Sequence, residues 1–355
     1  MNSALHVALV FTSKKKAQEM SVVRRPDELV VDDDEPPDLL VEYDTAETIS
    51  AVATALSQRY RVTRVEGDAR AYDRLRALHP DLVFNISEGF VGPNRESHIP
   101  IICEILGLPY TGSDALTLGI CLDKARAKEI LAYHQIPTAR FRIMAPGASA
   151  AMLASFRLPA MVKPLREGSS MGIRDDSLVK TRTQLRARVR EIHRAYHQPA
   201  LVEEFLPGRE FTVGVLGNPP AYEILPIVEI NHSVLPKGAD HVYGYEAKWV
   251  WDDPAKPLPI LVCPAKISAA LNKRIRMLVG RALAVLGVRD WARVDLRLDA
   301  EGNPNLLELN PLPGILPDPG ENSALPAAAR AAGYDYDELI LKVAAIALRR
   351  HGLLK

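Results

Sequence analysis

Cysteine is scarce: the 355-residue chain holds three, Cys103, Cys121 and Cys263, odd in number and widely spaced. With no C-x-x-C pair, neither a disulfide framework nor a zinc knuckle is indicated. Each sits among apolar neighbours, as in Ile101-Ile102-Cys103, and reads as a small buried hydrophobe. A reducing cytoplasm fits that usage. Neither sign of charge is in excess, with 44 Lys+Arg against 44 Asp+Glu. A general pull toward nucleic acid or an anionic membrane is therefore not expected. Long apolar runs are missing too, and none approaches the ~18 residues that span a bilayer. The N-terminus, MNSALHVALVFTSKKK, has a short apolar run with its lysines behind it, which reads as a first strand and not as a signal peptide. Internal repeats are absent, and so is the G-x-x-x-x-G-K-[ST] phosphate loop. The nine histidines show no metal-ligand spacing, and His98, His134 and His232 read as surface or capping residues.

What is present is an ordinary globular composition, 47% hydrophobic and 25% charged, on a chain long enough for several packed subdomains. Residues 5–11 (LHVALVF) read as a buried strand. Residues 12–44 carry a basic run, an acidic run and Pro36-Pro37, and read as a solvated loop or insertion. A helix over 45–59 behind the cap Asp44-Thr45, a strand at RYRVTRVEGD, a helix at 70–79, a strand at 81–86, a helix at 95–107 and a strand at 108–110 predict a small parallel sheet ending near residue 118. CLDKARAKEILAYHQI predicts one amphipathic helix. Strands at 139–144 and 159–163 follow, then an Arg-rich helix at 183–197 whose arginines read as a solvated face. Beyond 201 come the strands LVEEFL, EFTVGVLG and EILPIVEI, a helix at 266–286, strands at 292–298 and 305–309 joined by a turn at 299–302, and a helix at 336–350. The prolines fall in loops, including 304–326. The expected class is α/β (α+β), divided as 1–118, 119–200 and 201–355.

Three stretches carry chemistry. Strand alternation puts Arg293 with Asp295, and Glu308 with Asn310, on one face of a hairpin. Two carboxylates and an amide oxygen beside a cation suit Mg²⁺ bridging phosphates, and a solvent-facing charged hairpin is the alternative. Lys163 ends a strand and opens the loop PLREGSSMGI, whose backbone amides suit a phosphate; a plain surface loop reads equally well. In LVEEFLPGRE, strand backbone beside an apolar side chain suits an adenine edge and a carboxylate suits ribose hydroxyls, while an edge strand looks much the same.

Taken in order, LGLPYTGSDALTLGICLDKARAKEIL, MVKPLREGSSMGI, LVEEFLPGREFTV, YEAKW, ARVDLRLD, LLELNPLPG and SALPAAARAAGYDY resemble the D-alanine–D-alanine ligase family of ATP-grasp enzymes over nearly the whole chain. The resemblance implies an ATP-grasp fold behind a small parallel-sheet domain, and amide formation through an acylphosphate with release of ADP and phosphate. It implies that Lys124 and Lys163 hold ATP phosphates, and that Lys248 reaches them from a mobile loop. Glu203, Phe205 and Leu206 would line the adenine pocket and Glu210 would bind the ribose. Asp295, Glu308 and Asn310 would bind two Mg²⁺, or Mn²⁺ in their place. Arg293 would stabilise the tetrahedral intermediate, Ser169 would position substrate and loop, and Gly314 and Ser323 would touch substrate. Amino acids, as small molecules, would be the substrates, with a homodimer through the N-terminal sheet.

The departures lie on the substrate side. The first strand runs into Phe11-Thr12-Ser13-Lys14 where the family has a Gly-Gly loop, and Glu47 is the nearest candidate for the glutamate that meets the first amino acid. Glu88-Gly89 stands for His-Gly, and Gly92-Pro93-Asn94-Arg95-Glu96 for Gly-Glu-Asp-Gly. Glu88 reads as an ammonium-recognising group or as a surface carboxylate. Trp249 replaces a tyrosine that hydrogen-bonds the loop serine, and indole cannot accept a hydrogen bond. The loop between Gly314 and Ser323 is longer. The expectation is a dipeptide ligase of the D-alanyl-D-alanine type, with another amino-acid pair, or an ATP-binding protein without turnover, as alternatives.

Overall fold

The computed structural model describes residues 5–23, 38–237, 240, 242–252 and 257–354. The first apolar run forms β1 (His6–Phe11), buried from His6 to Val10. After it come α1 (Lys14–Val23), α2 (Ala46–Ser57), β2 (Arg61–Glu66), α3 (Ala71–Leu78), β3 (Leu82–Asn85) and α4 (His98–Leu106). Thr45 caps α2 by accepting from the Thr48 amide. β1 pairs in parallel with β2 on one side and β3 on the other. Residues 108–110 do not extend the sheet; Tyr110 makes one parallel bridge to Val83. Pro109 has no N–H to offer a ladder, and Gly112 (φ +89°) turns the chain away.

The expectation of a solvated loop over 12–44 is corrected. Its lysines open α1, and residues 38–44 return to the sheet, where the Asp44 amide donates to the Thr12 carbonyl (3.0 Å). The acidic run 32–35 and Pro36-Pro37 lie outside the described residues.

Next come α5 (Ala115–Leu122), α6 (Lys124–Tyr133), β4 (Phe141–Met144), β5 (Ala160–Pro164), β6 (Leu178–Val179), α7 (Arg182–Tyr196) and β7 (Ala200–Glu204). The single helix expected across CLDKARAKEILAYHQI is broken at Asp123. Its carboxylate accepts from the amides of Ala125 and Arg126 to cap α6, and pairs with Arg166 at 2.9 Å. The four strands form an antiparallel sheet in the order β4-β7-β5-β6. α7 packs against β5, and Arg188 departs from the expected solvated face. It is buried and donates to the Gly172 carbonyl (2.8 Å) and Ser177 Oγ (3.1 Å).

The remainder holds β8 (Glu210–Asn218), β9 (Ala221–Ile224), β10 (Val228–Ile230), β11 (Leu261–Val262), α8 (Ala269–Leu286), β12 (Trp291–Leu298), β13 (Pro304–Asn310), α9 (Ala324–Ala331) and α10 (Tyr336–Arg350). EILPIVEI is two strands, interrupted at Pro226. α9 falls inside the proline-rich stretch expected as loop; Pro326 sits in its first turn, where a missing N–H costs no helical bond. The sheet order is β11-β10-β8-β12-β13, with β9 on β8.

The first and third sheets share one core. Leu9, Val52 and Phe84 pack with Trp291, Leu325 and Val343, and the Phe84 ring meets the Trp291 ring edge-on at 5.7 Å. Asp290, fully buried, locks the join by accepting from the Gly112 amide (2.8 Å) and from Arg350 (2.8 Å). Among the described residues no helix is long and apolar enough to cross a membrane.

Candidate active site

A cavity of about 390 Å³ opens where elements of all three sheets meet. Antiparallel register sets Asp295 opposite Glu308 and Arg293 opposite Asn310, and all four line it. The charged face of the β12–β13 hairpin is therefore turned inward. Arg293 donates to Asp295 (3.0 Å) and stands 4.0 Å from Glu308. Lys124, in the first turn of α6, lies 3.3 Å from the other Glu308 oxygen. Burial alone would raise the Glu308 carboxyl, but Lys124, Lys163, Arg293 and Lys248 outweigh it and hold it far below the carboxylate range. Asn310 donates its amide N–H to Asp295 (3.3 Å), and among the described residues its carbonyl oxygen accepts no hydrogen bond. Ionised carboxylates and an amide oxygen in a sheltered site are the donor set that a hard divalent cation takes, so these residues fit Mg²⁺.

Lys163, next to last in β5, lines the cavity wall 2.7 Å from Glu203. The other Glu203 oxygen lies 2.6 Å from Lys128. Burial would raise the Glu203 carboxyl, yet the two lysines bring it down to about 2. At 3% exposure Glu203 does not line the cavity. Its place is behind Lys163 as a counter-ion, which differs from the expected adenine contact. Phe205 and Leu206 also lie off this cavity, with the Arg297 guanidinium 4.6 Å above the Phe205 ring. Glu210 does line it, and accepts from His232 (3.1 Å) and Arg297 (3.0 Å). The His232 side chain, 8% exposed, thus backs Glu210 behind this wall.

Lys248 sits in a π-helical turn, Glu246–Val250, with its ammonium 4.9 Å from the Tyr243 ring. Burial, and then the Arg293 cation, push it down to about 8. Below that pH it is a third ammonium aimed at the Glu308 end. In the loop behind Lys163, Ser169, Ser170 and Gly172 are left-handed (φ +48°, +64° and +67°). A Cβ on Gly172 would lie 2.3 Å from Pro164, so only glycine fits there. Trp249 keeps a bond to this loop by donating: its indole N–H reaches the Ser169 carbonyl at 3.3 Å. Gly314 and Ser323 close the far wall, and the Ser323 hydroxyl donates to the Gly314 carbonyl (3.3 Å).

Several residues of the site were not read from the sequence. Asp38, fully buried, accepts from the Gly172 amide (2.8 Å) and the Tyr196 hydroxyl (2.9 Å), tying the returning segment to the loop. Glu42 follows it and pairs with Arg95 at 2.8 Å; Arg95 also pairs with Glu167 at 3.0 Å. One carboxylate oxygen from each of Glu42, Glu88 and Glu96 lies within 4.8 Å of the others, and all three residues line the cavity. Glu47, by contrast, is exposed in the first turn of α2 and does not line it. The one advance signal was Glu88-Gly89 itself.

Burial, and then Glu42, raise the Glu96 carboxyl to about 8. A carboxyl raised in the folded state binds its proton more tightly there than in the unfolded chain. Stability is then full below the unfolded value and falls as pH rises toward about 8. Denaturant melts of the ligand-free protein between pH 5 and 8 are expected to show stability falling by up to about 1.4 kcal/mol per pH unit for this proton, and Glu96→Gln is expected to flatten the slope. An unchanged slope in the variant would show that Glu96 is not the proton-holding group.

The family profile described as the D-ala D-ala ligase C-terminus matches residues 129–345, more than half of the chain. A D-alanine–D-alanine ligase of Cupriavidus pinatubonensis is 36% identical over 288 residues, covering 79% of this chain and 82% of its own.

This chain belongs to the D-alanine–D-alanine ligase family.

The ligase of Actinobacillus succinogenes is 33% identical over 300 residues, covering 83% of this chain and 90% of its own. An uncharacterized protein, y4sG, of Sinorhizobium fredii is 36% identical over 310 residues, covering 85% and 87%. In fold, the chain is similar to the D-alanine–D-alanine ligase of Bacillus anthracis complexed with ATP, with a TM-score of 0.67 at 20% identity over 98% of this chain and 99% of that one. The ATP-grasp fold expected from the sequence is the one present. Membership makes the chain an ATP-using, ADP-forming carbon–nitrogen ligase that acts on small molecules.

Proposed function

We propose that this ligase joins two amino acids into a dipeptide, taking substrates of the D-alanine type for which its relatives are named. One observation carries the reading: a single cavity gathers Lys163, Lys248, Arg293, Asp295, Glu308 and Asn310 together with Ser169, Gly314 and Ser323. A carboxylate oxygen of the first amino acid attacks the γ-phosphorus of ATP, ADP departs, and an acylphosphate remains. The amine of the second attacks the acyl carbon, phosphate leaves with its bonding pair, and the nitrogen sheds a proton. Lys124, Lys163 and Lys248 neutralise phosphate oxygens. Glu203 and Lys128 hold Lys163 in place, Glu210 takes the ribose, and Phe205 and Leu206, just beyond the cavity, flank the adenine. Arg293, steadied by Asp295, donates to the acyl oxygen as it turns into an oxyanion. Ser169 and its loop shield the acylphosphate from water. Asp295, Glu308 and Asn310 would hold two Mg²⁺, which supply charge neutralisation to the phosphates when bound. We assign 1–118 to an N-terminal α/β domain, 119–200 to a central ATP-grasp part and 201–355 to a C-terminal one. We place the enzyme in the cytoplasm as a homodimer.

The test is ADP release over a panel of D- and L-amino acids. Turnover is expected with pairs that include D-alanine. ATP binding without ADP release from any pair would reduce the protein to a nucleotide binder.

A further inference from the structure

Glu42, Glu88 and Glu96 crowd three carboxylates within 4.8 Å at the cavity wall. Arg95 is the cation paired with this group. It pairs with Glu42 and is shared with Glu167. Among the described residues neither of the other two carboxylates forms an ion pair, although the Arg95 charge attracts both. Glu96 is 8% exposed and lines the cavity, and among the described residues it makes no hydrogen bond or ion pair. Glu88 lines the same cavity and likewise makes none. Burial raises the Glu88 carboxyl most, followed by the fields of Glu42, Glu96 and Asp44, with Arg95 pulling the other way. A buried, unpaired carboxylate is costly, and it either keeps its proton or takes a cation. The group is also within electrostatic reach of the phosphate side, because Glu96 feels both Lys124 and Glu308. Glu308, Glu88 and Glu96 line one cavity, so a substrate held at the metal-site residues shares it with the acidic wall.

One α-ammonium satisfies one of the two unpaired carboxylates. We infer that the second is matched by a cationic side chain, so that one of the two amino acids this ligase joins is a basic or diamino acid. This rests on the dipeptide-ligase reading above and narrows it. An alanine in the same place leaves one of Glu88 and Glu96 facing the cavity without a partner. Ornithine or lysine supplies a second ammonium, free of any backbone requirement, to the same wall. Discrimination of this kind comes from the ion pair that only a second ammonium forms there, since with alanine the leftover carboxyl keeps its proton and adds no attraction.

The experiment is a steady-state ADP assay on the full chain with D-alanine alone, and with D-alanine paired with D- or L-ornithine or lysine. It is run on the wild type, Glu88→Gln and Glu96→Gln, with thermal melts to confirm folding. A kcat/KM higher by on the order of tenfold or more for a basic amino acid is expected in the wild type. Each glutamine variant is expected to lower that ratio, through KM for the basic substrate, while KM for ATP stays in place. Preference for D-alanine alone, or a ratio that neither variant moves, overturns the inference and leaves the dipeptide reading standing. Saturable tight binding of Mn²⁺ alone, lost in both variants and without any change in substrate ratio, overturns it in favour of a metal site. Absence of ADP from every amino acid overturns both readings.

Discussion

Asp295→Asn is expected to lower kcat for ADP formation by on the order of 10² to 10³, the usual cost of removing one preorganised charge from a reacting centre. The substitution keeps the shape and removes the charge. Two consequences follow from the geometry. The Arg293 guanidinium loses the carboxylate that holds it at 3.0 Å, and the cation donor set loses one of its two carboxylates. KM for ATP should rise less than kcat falls, because Lys163, Lys248 and Glu210 remain in the wall. A direct readout is Mn²⁺ affinity in the presence of ADP, followed by electron paramagnetic resonance, which should weaken in parallel. Unimpaired ligation by the variant would remove both the metal role and the Arg293-steadying role of Asp295.

Glu203→Gln is expected to destabilise the protein by about 3–5 kcal/mol, the range for breaking a buried ion pair from one side. The side chain lies between two buried ammonium groups, Lys128 at 2.6 Å and Lys163 at 2.7 Å. An amide takes from both cations the carboxylate that each is paired with. Lys128 shows the strain already: burial pulls its ammonium down, opposed by Glu203. The sign of the pH dependence is fixed by the depressed carboxyl. Its contribution is present above the ordinary carboxylate range and is lost only as pH falls toward about 2. Chemical denaturation at neutral pH measures the loss. A variant with unchanged stability but weakened ATP binding would return Glu203 to the adenine contact that its place in LVEEFLPGRE suggested.

Glu203 marks where reading the sequence stopped. Its neighbours in order identified a nucleotide strand, and the strand is there as β7. Which way a carboxylate faces depends on what lies across the sheet, and Lys128 comes from α6, a helix whose start at Asp123 was not foreseen. The hairpin was legible because everything it needs is local. Alternation, a turn at 299–302 and two short strands bring Arg293, Asp295, Glu308 and Asn310 to one face. The acidic wall was not legible for the opposite reason. Glu42 sits in a segment whose composition argues for a solvated insertion, and only its return to the end of β1 brings it to Glu88 and Glu96. At Trp249 the sequence shows the loss of an acceptor, and only the fold shows that the indole donates to the backbone of the same loop.

By itself the sequence determined the family, the ATP-grasp fold and the inventory of cationic and anionic groups, because those depend on residue order and on strand and helix periods. The tertiary structure alone decided which charges share a buried space. Lys163 is committed to Glu203, Glu308 is surrounded by cations, and Glu88 and Glu96 face the cavity with no ion-pair partner among the described residues. Coulomb energy and desolvation depend on separation in space and on exclusion of water, and neither is written in the spacing of residues along a chain.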